Sequence, residues 1–557
     1  MTTKPIQIYC ENNQATLYVE EGTSLGEVLD MLALHTESPV IACFVDNRLK
    51  ELNSRIYSPK NLRYVEMSST DGMRVYARSL FFLLQKAVLD CYPEAQLRIL
   101  HTAARGYYGE ISGIGTVGAE QIETIKQRMR VLVDMNLPIV RDKMLLSDVE
   151  KLYHGYGYED KLALLGTRPQ YFITVYNMGG LPGYFYGAMA VSTGYLKVFD
   201  LQAFGEGFVL QMPRRDDCTQ VEPMKLEPKL FSVFQQNKEW ADILQLSDVG
   251  SLNSRVLAGQ ASEMIKVGEA LHEKTLARIA DVILERHDKH GVKIVLVAGP
   301  SSSGKTTLSK RLSIQLRVLG LEPETISLDN YFVDREHTPL DENGNYNFEA
   351  LEAVDVEAFN ADLNRLFAGE KVEMPKFRFT DGKRYYDGTT LQLSDRSILI
   401  VEGIHGLNPA LTPHVDDRLK YKIYASALTT LSLDNMSVVS TTDNRLLRRI
   451  VRDNKYRGRT AYDTIKGWGS VRRGEDKYIF PYQEQADVMV NTALFFEISI
   501  LKQYALPLLR RVPANTPEYA EAMRLMKFLD YFVDIPDHEL PPTSILREFL
   551  GGSSFQY

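Results

Sequence analysis

The chain has 557 residues, of which 44% are hydrophobic and 24% charged, and its net charge is −8 at pH 7. This is the composition of a globular protein with about three or four domains, which excludes disordered, collagen-like and coiled-coil chains. The negative total charge excludes a surface that binds nucleic acid throughout, but it is compatible with a local basic site.

Cysteine usage and hydropathy indicate the compartment. The four cysteines are scattered without a CxxC pair, so the sequence predicts neither a disulfide framework nor a cysteine zinc site. The first residues do not show a basic stretch followed by an apolar one, and no apolar run approaches the roughly 18 residues of a membrane helix. We therefore expect a soluble, cytoplasmic protein that does not contact a membrane.

Residues 1–68 predict a small mixed domain. Apolar and β-branched residues favour strands at 6–10, 15–19, 41–45 and 62–67. Between the second and third of these strands, Gly22-Thr23-Ser24 is predicted to open a short helix through Leu25, Val28, Leu29 and Leu32. The polar run from Ser68 to Gly72 predicts the domain boundary.

Residues 69–228 predict a second, α+β domain. Its first helix carries Leu80, Leu83, Leu84 and Val88 on one face, a second helix is predicted at 119–136, and the stretch 171–212 predicts antiparallel strands. Residues 229–290 repeat apolar positions at helical spacing and predict a helical connector.

From residue 291 the pattern changes to alternating strands and helices. This pattern predicts an α/β domain with a parallel sheet and flanking helices over residues 291–511. In the tail, residues 512–557, only one helix near 523–532 is predicted.

A glycine-rich loop follows the first strand of this domain. The sequence GPSSSGKTT fits G-x-x-x-x-G-K-[ST], lying between a buried-type strand and an amphipathic helix. Backbone N–H groups of such a loop bind phosphates, while Lys305 reaches the β- and γ-phosphates and the Thr306 hydroxyl holds Mg²⁺. The candidate ATP-binding residues are Gly299, Pro300, Ser301, Ser302, Ser303, Gly304, Lys305, Thr306 and Thr307.

Two carboxylates are predicted at the ends of neighbouring strands. Glu402 follows the apolar run 398–401 and is a candidate metal ligand, the alternative being a strand-end residue that meets solvent. Asp329 follows the strand 325–328, where open α/β sheets bind ligands. We interpret Asp329 as the base that accepts the proton of an attacking hydroxyl, the alternative being a helix or turn cap.

Six arginines lie within residues 445–459. Four of them have helical spacing, and a glycine-containing tip follows. We interpret the group as a lid that closes over a triphosphate, with a solvated helix face and a nucleic-acid-binding patch as alternatives. The arginines are Arg445, Arg448, Arg449, Arg452, Arg457 and Arg459.

Residues 292–511 resemble the uridine kinase and phosphoribulokinase family. The matching segments are GPSSSGKTT, SLDNYF, NYNFEALEAVD, MPKFRF, LIVEGIHGL and DNRLLRRIVRDNKYRGR, in family order. The resemblance implies ATP as donor, Mg²⁺, and a nucleoside-like acceptor. It also implies Lys305, Asp329 and Arg459 as catalytic residues. Arg452 and Arg457 are implied as further ATP ligands. The implied acceptor-binding residues are Asp329, Phe332, Glu349, Phe377, Phe379, Arg449 and Arg459.

Two positions depart from the family pattern. Gly382 stands where uridine kinases have a histidine that reads the base, and Gly467 stands where they have a glutamine. Two hydrogen bonds to a pyrimidine are therefore missing, each worth about a factor of ten in discrimination. Asp381-Gly382 instead predicts a hairpin turn.

The front of the chain resembles threonyl-tRNA synthetase. Residues 1–68 resemble its ubiquitin-like, β-grasp TGS domain, and residues 69–228 its editing-type second additional domain. Arg78 and Phe82 occupy the positions of that domain's HxxxH pair, Met178 to Gly180 offers no later ligand, and His101 and His154 are isolated. We therefore expect neither zinc nor editing chemistry.

These patterns together predict an ATP-dependent kinase that acts on the 5′-hydroxyl of a nucleoside. One alternative is a kinase for another sugar or a sugar phosphate, and another is a regulatory, RNA-binding protein whose kinase fold senses nucleotide. Further expectations are an RNA or nucleotide ligand at the N-terminal domains and assembly as a homo-oligomer.

Overall fold

The computed structural model describes residues 5–115, 117–168, 170–342, 344–378 and 380–556. No helix among these residues combines the length and the apolar character needed to cross a membrane.

Residues 6–66 form a five-stranded sheet with the order β2-β1-β5-β3-β4. Its elements are β1 (Ile6–Cys10), β2 (Ala15–Val19), α1 (Leu25–Leu32), β3 (Val40–Val45), β4 (Arg48–Lys50) and β5 (Lys60–Glu66). Ser24 caps α1, because its hydroxyl accepts the N–H of Glu27 while the Glu27 carboxylate accepts the N–H of Ser24. The sequence predicts the helix and four of these five strands but not β4, and the TGS assignment stays a prediction.

Residues 70–211 form two antiparallel sheets beside a long helix. The elements are α2 (Thr70–Cys91), β6 (Gln96–Ala103), β7 (Gly106–Ser112), α3 (Ala119–Asp134), β8 (Ile139–Leu145), α4 (Leu146–Tyr156), α5 (Glu159–Gly166), β9 (Phe172–Met178), β10 (Leu181–Gly183), β11 (Asp200–Phe204) and β12 (Gly207–Gln211). The sheet orders are β10-β9-β8 and β11-β12-β7-β6. One face of α2, with Leu80, Leu83, Leu84 and Val88, lies in the core that joins them.

The two positions compared with the editing-type histidine pair lie on α2. Phe82 is fully buried, and its ring centroid is 5.2 Å from that of Phe185. The guanidinium of Arg78 donates to the carbonyl of Ala188, at 3.1 Å from Nε and 2.8 Å from Nη2. His101 is buried and stacks on Phe234, whereas His154 is exposed.

Three helices connect this region to the next. They are α6 (Pro228–Ile243), α7 (Val249–Leu257) and α8 (Ala261–His290). Gly291, with φ +73°, ends α8 in the left-handed conformation that glycine adopts without strain.

Residues 294–509 contain a five-stranded, wholly parallel sheet with the order β14-β19-β13-β20-β23. The elements are β13 (Ile294–Ala298), α9 (Lys305–Val318), β14 (Glu322–Ser327), α10 (Val356–Phe367), β15 (Val372–Glu373), β16 (Lys376–Arg378), β17 (Lys383–Tyr385), β18 (Thr390–Leu391), β19 (Ser397–Glu402), β20 (Lys420–Ser426), β21 (Ser432–Asp434), β22 (Ser437–Val438), α11 (Thr441–Tyr456), α12 (Ala461–Tyr478), β23 (Val488–Asn491) and α13 (Glu497–Leu509). All five residues of β13 are buried, as expected for a central parallel strand covered on both faces. The predicted parallel sheet is confirmed.

The tail contains more secondary structure than the single helix that the sequence predicts. It contains α14 (Glu518–Leu529) and α15 (Arg547–Leu550), which pack on α13 and α11 respectively. Their apolar residues belong to a core shared with α11, α12 and α13, so residues 512–556 are part of the folded unit around the parallel sheet.

Candidate active site

The phosphate loop joins β13 to α9. Gly299, with φ +157°, has no space for a side chain, because a Cβ there would overlap the carbonyl oxygen of Ala425 on β20. Within the described part of the chain, no acceptor binds the N–H groups of Gly304, Lys305 and Thr306. The hydroxyls of Ser302 and Ser303 are likewise buried without a partner among the described residues. The loop therefore offers donors suited to an anion.

Lys305 lies at the first position of α9. Its Nζ donates to the carbonyl of Pro300 at 3.2 Å. Burial lowers the pKa of Lys305, and the charges of Glu402 and Asp329 oppose that effect. The ammonium is thus held against its own loop, within electrostatic range of both strand-end acids.

Glu402 and Asp329 lie at the carboxyl ends of the adjacent parallel strands β19 and β14. Oε1 of Glu402 accepts from the hydroxyl of Ser327 at 2.8 Å and from that of Thr306 at 3.4 Å. Asp329 lies in the 3-10 turn Leu328–Tyr331 that follows β14. Burial and then the charge of Asp329 raise the pKa of Glu402 to about 7.

The residues around Glu402 fit a magnesium ion. Carboxylate and hydroxyl oxygens are the hard ligands that Mg²⁺ prefers, and Thr306 and Glu402 supply one of each. Two neighbouring acids in a buried place also repel one another, which a divalent cation would relieve. The predicted metal ligands are therefore adjacent.

An aromatic wall lies beyond Asp329. The ring of Phe332 is buried and lies 5.6 Å from that of Phe377 and 6.2 Å from that of Phe348. The N–H of Phe377 donates to the side chain of Asn330 at 3.3 Å. Phe332 and Phe377 are therefore brought together, whereas Phe379, predicted for the same wall, lies outside the described residues.

Glu349 lies between this wall and α12. A Cβ on Gly474 of α12 would overlap the Glu349 side chain, so the helix approaches the acid closely. Burial raises the pKa of Glu349 to about 7 against the opposing charge of Arg449. Its Oε2 is buried and has no hydrogen-bond partner among the described residues. An unpaired acceptor of this kind suits a ligand hydroxyl.

Arg445 and Arg448 do not belong to the predicted lid. Both are fully buried behind the phosphate loop, where Arg445 pairs with Glu475 and Arg448 pairs with Glu497 at 2.6 Å. Arg445 Nε donates to the carbonyl of Ser301 at 3.0 Å, and Arg448 Nη1 to that of Ser302 at 3.4 Å. These two arginines hold the outer side of the loop, which corrects the interpretation that all six close over a triphosphate.

The remaining arginines cluster around Asp453. Arg452 and Arg449 lie 2.8 and 3.3 Å from its carboxylate and Arg457 3.7 Å. Although burial acts to raise it, these arginines hold the pKa of Asp453 below its usual range. The charge of Arg452, followed by burial, lowers the pKa of Arg457 to about 10.

Of these four arginines, Arg449 and Arg457 reach toward the site, Arg452 donates to Asp453, and Arg459 does not reach the site. Arg449 Nη1 donates to the hydroxyl of Ser301 at 2.6 Å. Arg457 lies within electrostatic range of Asp329. Arg459 lies on the exposed tip beyond α11, where its N–H donates to the carbonyl of Asp453 at 3.1 Å.

Comparisons with known proteins identify this region. The pattern of the phosphoribulokinase / uridine kinase family matches residues 294–498. The uridine kinase of Staphylococcus aureus strain JH9 is 30% identical over 198 residues, which are 35% of this chain and 86% of that enzyme. The chain belongs to this family. Its membership rests on residues 294–498, and the region before them is not part of the match.

Two solved structures are similar to part of this chain. One is a possible uridine kinase from Bacillus stearothermophilus, at 20% identity and a TM-score of 0.25, covering 36% of this chain and 89% of that one. The other is D-glycerate 3-kinase from Cryptococcus neoformans, at 14% identity and a TM-score of 0.23, covering 49% of this chain and 89% of that one.

The two departures from the uridine kinase pattern have different surroundings. Gly382, with φ +70°, lies in the turn of the β16–β17 hairpin, and a Cβ there would lie 2.7 Å from Cβ of Arg335. A histidine would be strained at this position. Gly467 lies in α12 with open space around it. The hairpin predicted from Asp381-Gly382 is present.

Sequence reasoning missed the acids that organise the site. Glu475 and Glu497 balance Arg445 and Arg448, and Glu548 contacts the first turn of α9. Single acidic residues far along the chain carry no local pattern that connects them with the loop.

Proposed function

We propose that the chain is an ATP-dependent kinase that transfers the γ-phosphate of ATP to the 5′-hydroxyl of a nucleoside. The observation that carries the proposal is the position of Asp329. It lies within electrostatic range of Lys305 and Glu402 on one side, and the aromatic wall begins at Phe332 on the other. Family membership supports phosphoryl transfer as the class of reaction.

The donor half of the reaction uses the phosphate loop. The N–H groups of Gly304 to Thr306 bind phosphate oxygens, and the Lys305 ammonium neutralises charge on the β- and γ-phosphates. Thr306 and Glu402 would hold Mg²⁺, which when bound offsets the negative charge of the triphosphate. Arg452 and Arg457 add positive charge on the side of α11.

The acceptor half uses Asp329 as base. The oxygen of the acceptor hydroxyl bonds to the γ-phosphorus, the bond to the β–γ bridging oxygen breaks, and ADP leaves with that electron pair. The hydroxyl proton passes to the Asp329 carboxylate. Arg449 stabilises the transferring group as its charge redistributes. Arg459 is proposed for the same role on the family resemblance alone, since it lies on the exposed tip beyond α11.

Glu349, Phe332 and Phe377 position the acceptor. The unpaired oxygen of Glu349 accepts ribose hydroxyls, and the two rings pack on the base. Phe379 is proposed for the same wall on the family resemblance alone.

A second candidate function is phosphorylation of another sugar or of a sugar phosphate. The observation that favours it is the pair of glycines at 382 and 467, neither of which supplies a side-chain hydrogen bond to a base. The Glu349 oxygen would bind sugar hydroxyls equally well.

The front regions are proposed to serve recognition. We assign residues 1–68 to a TGS-like domain and residues 69–228 to an editing-like domain, with RNA or a nucleotide as ligand. In the alternative of a nucleotide-sensing regulatory protein, the acceptor-side Asp329 would have no role. Cytoplasmic localisation and homo-oligomer assembly belong to the same proposal.

The test is a screen of the full chain with γ-labelled ATP and Mg²⁺. Acceptors are the four ribonucleosides, ribose, and pentose phosphates, with Lys305→Ala as the matched control. Label on the 5′-oxygen of a nucleoside supports the proposal. Label only on a sugar or sugar phosphate supports the second candidate. Saturable ATP binding without transfer to any acceptor favours the sensor.

A further inference from the structure

The segment 537–556 lies against the phosphate loop. Oε2 of Glu548 accepts the N–H of Thr307 at 3.1 Å and the hydroxyl of Thr307 at 2.7 Å. Both donors belong to the first turn of α9. A carboxylate from 241 residues further along the chain is therefore bound at the start of the phosphate-binding helix.

The segment is held there by several contacts besides Glu548. Cγ2 of Ile545 lies 2.8 Å from where a Cβ on Gly304 would stand, and the guanidinium of Arg448 lies 5.0 Å from the ring centroid of Phe549. Lys455 Nζ donates to the carbonyl of Leu550 at 2.5 Å. The side chains of Ile545, Phe549 and Leu550 are buried. The position of Glu548 is thus fixed by packing on both sides.

The Glu548 carboxylate oxygen accepts from the same kind of donors that a bound phosphate oxygen would use. The first N–H groups of a helix have no intrahelical acceptor and lie at the positive end of its dipole, so they bind anions. The Thr307 N–H is one of these groups, and Glu548 satisfies it with a negatively charged oxygen. Lys305 lies within electrostatic range of the same carboxylate.

The contact conflicts with a bound triphosphate. A phosphate oxygen at the Thr307 N–H needs the position that Oε2 of Glu548 occupies. A second negative group also lies beside Glu402, whose pKa the charge of Glu548 helps to raise. Donor phosphates and Glu548 therefore compete for one donor pair.

We propose that Glu548 is an internal anion of the donor site, and that nucleoside triphosphates bind by displacing it together with segment 537–556. The proposal rests on the proposed function of the phosphate loop. The docked segment lowers the apparent affinity for ATP, and anything that holds it away from the loop raises that affinity.

The experiment measures ATP affinity of the full chain with Mg²⁺ by calorimetry for the wild type, Glu548→Gln and Glu548→Ala. Glu539→Gln is the matched control, because Glu539 lies on the same segment and its carboxylate accepts from Ser262, away from the loop. We expect the dissociation constant to fall at least fivefold in Glu548→Ala, to fall less in Glu548→Gln, and to change less than twofold in the control.

A second measurement follows the segment itself. Amide hydrogen exchange of residues 545–550 in the wild type should rise when ATP is added, whereas in Glu548→Ala it should be high with or without ATP. This readout keeps the test decisive if a variant is less stable than the wild type.

Two outcomes overturn the proposal. If Glu548→Ala binds ATP no more tightly than the wild type and exchange at 545–550 does not respond to ATP, the competition is absent while the phosphate-loop assignment stands. If neither wild type nor variants bind ATP, the proposed function itself fails, and the competition fails with it.

Discussion

Arg448 and Glu497 form an ion pair behind the phosphate loop, with 2.6 Å between Nη2 and Oε2 and both side chains almost completely buried. The same guanidinium donates to the carbonyls of Thr492 and Ser302, at 2.8 and 3.4 Å. The pair therefore links α11, the start of α13 and the loop.

Replacing one partner of this pair leaves a buried charge without compensation. We expect Arg448→Met to lower the free energy of unfolding by about 3–5 kcal/mol. Arg418→Met is the control, because Arg418 pairs with Asp416 on the surface and such pairs contribute about 0–1 kcal/mol. Urea unfolding followed by circular dichroism measures both. Equal, small losses in the two variants would show that the buried pair has no structural role.

Lys305→Ala is expected to abolish phosphoryl transfer without loss of the fold. The ammonium acts on phosphate charge, and the one hydrogen bond that it makes to the described residues goes to a loop carbonyl. Initial rates with saturating ATP and thermal unfolding give the two readouts, and Lys289→Ala on an exposed turn of α8 is the control. A rate within tenfold of the wild type contradicts the phosphate-loop assignment.

Asp329→Asn is expected to lower turnover at least about a hundredfold with nearly unchanged ATP affinity, since the amide keeps the shape of the acid but accepts no proton. Steady-state kinetics and ATP calorimetry separate the two effects. Asp417→Asn, an exposed acid at the other end of the sheet, is the control. A collapse of ATP affinity with normal turnover per bound complex would instead place Asp329 in the metal site or the fold.

The local part of this site could be predicted from the sequence. Short-range patterns in the sequence mark an apolar run, a glycine loop and the residues that end two strands. They therefore predict the positions of the loop, Asp329 and Glu402. The parallel sheet explains why these ends meet at one edge. The family resemblance added the aromatic wall and Glu349.

The long-range part could not be predicted. Helical spacing places Arg445 and Arg448 on one face of α11. That face can be buried only because the carboxylates of Glu475 and Glu497 neutralise the two arginine charges, and these acids lie 30 and 49 residues further along the chain. Glu548 likewise reaches Thr307 only through the packing of the tail on α11 and α13. Contacts between side chains so far apart in the sequence depend on the tertiary structure, which local patterns do not reveal.

The contribution of Glu349 and Glu402 to stability should fall as the pH rises from about 4.5 to about 7, opposite in sign to that of His101, His272 and His405, whose pKa values burial lowers. Burial raises the pKa of Glu349 to about 7, and burial together with Asp329 raises that of Glu402 to about 7, against an ordinary value of 4.5. Between these pH values the unfolded chain has released both protons and the folded chain still holds them, so the folded state binds more protons. Raising the pH therefore favours unfolding by this linkage, and above pH 7 the effect levels off.

The size of the effect is on the order of 1–3 kcal/mol for each acid, and the two Gln variants separate them. Between pH 5 and pH 7.5 the free energy of unfolding in urea should rise more, or fall less, in Glu349→Gln and in Glu402→Gln than in the wild type, since each variant lacks one of the two acids. Mg²⁺ at pH 7.5 should restore stability in the wild type and in Glu349→Gln but not in Glu402→Gln, because the cation stabilises the ionised form of its own ligand. Restoration by Mg²⁺ in all three proteins would place the ion elsewhere and contradict the assignment of Glu402.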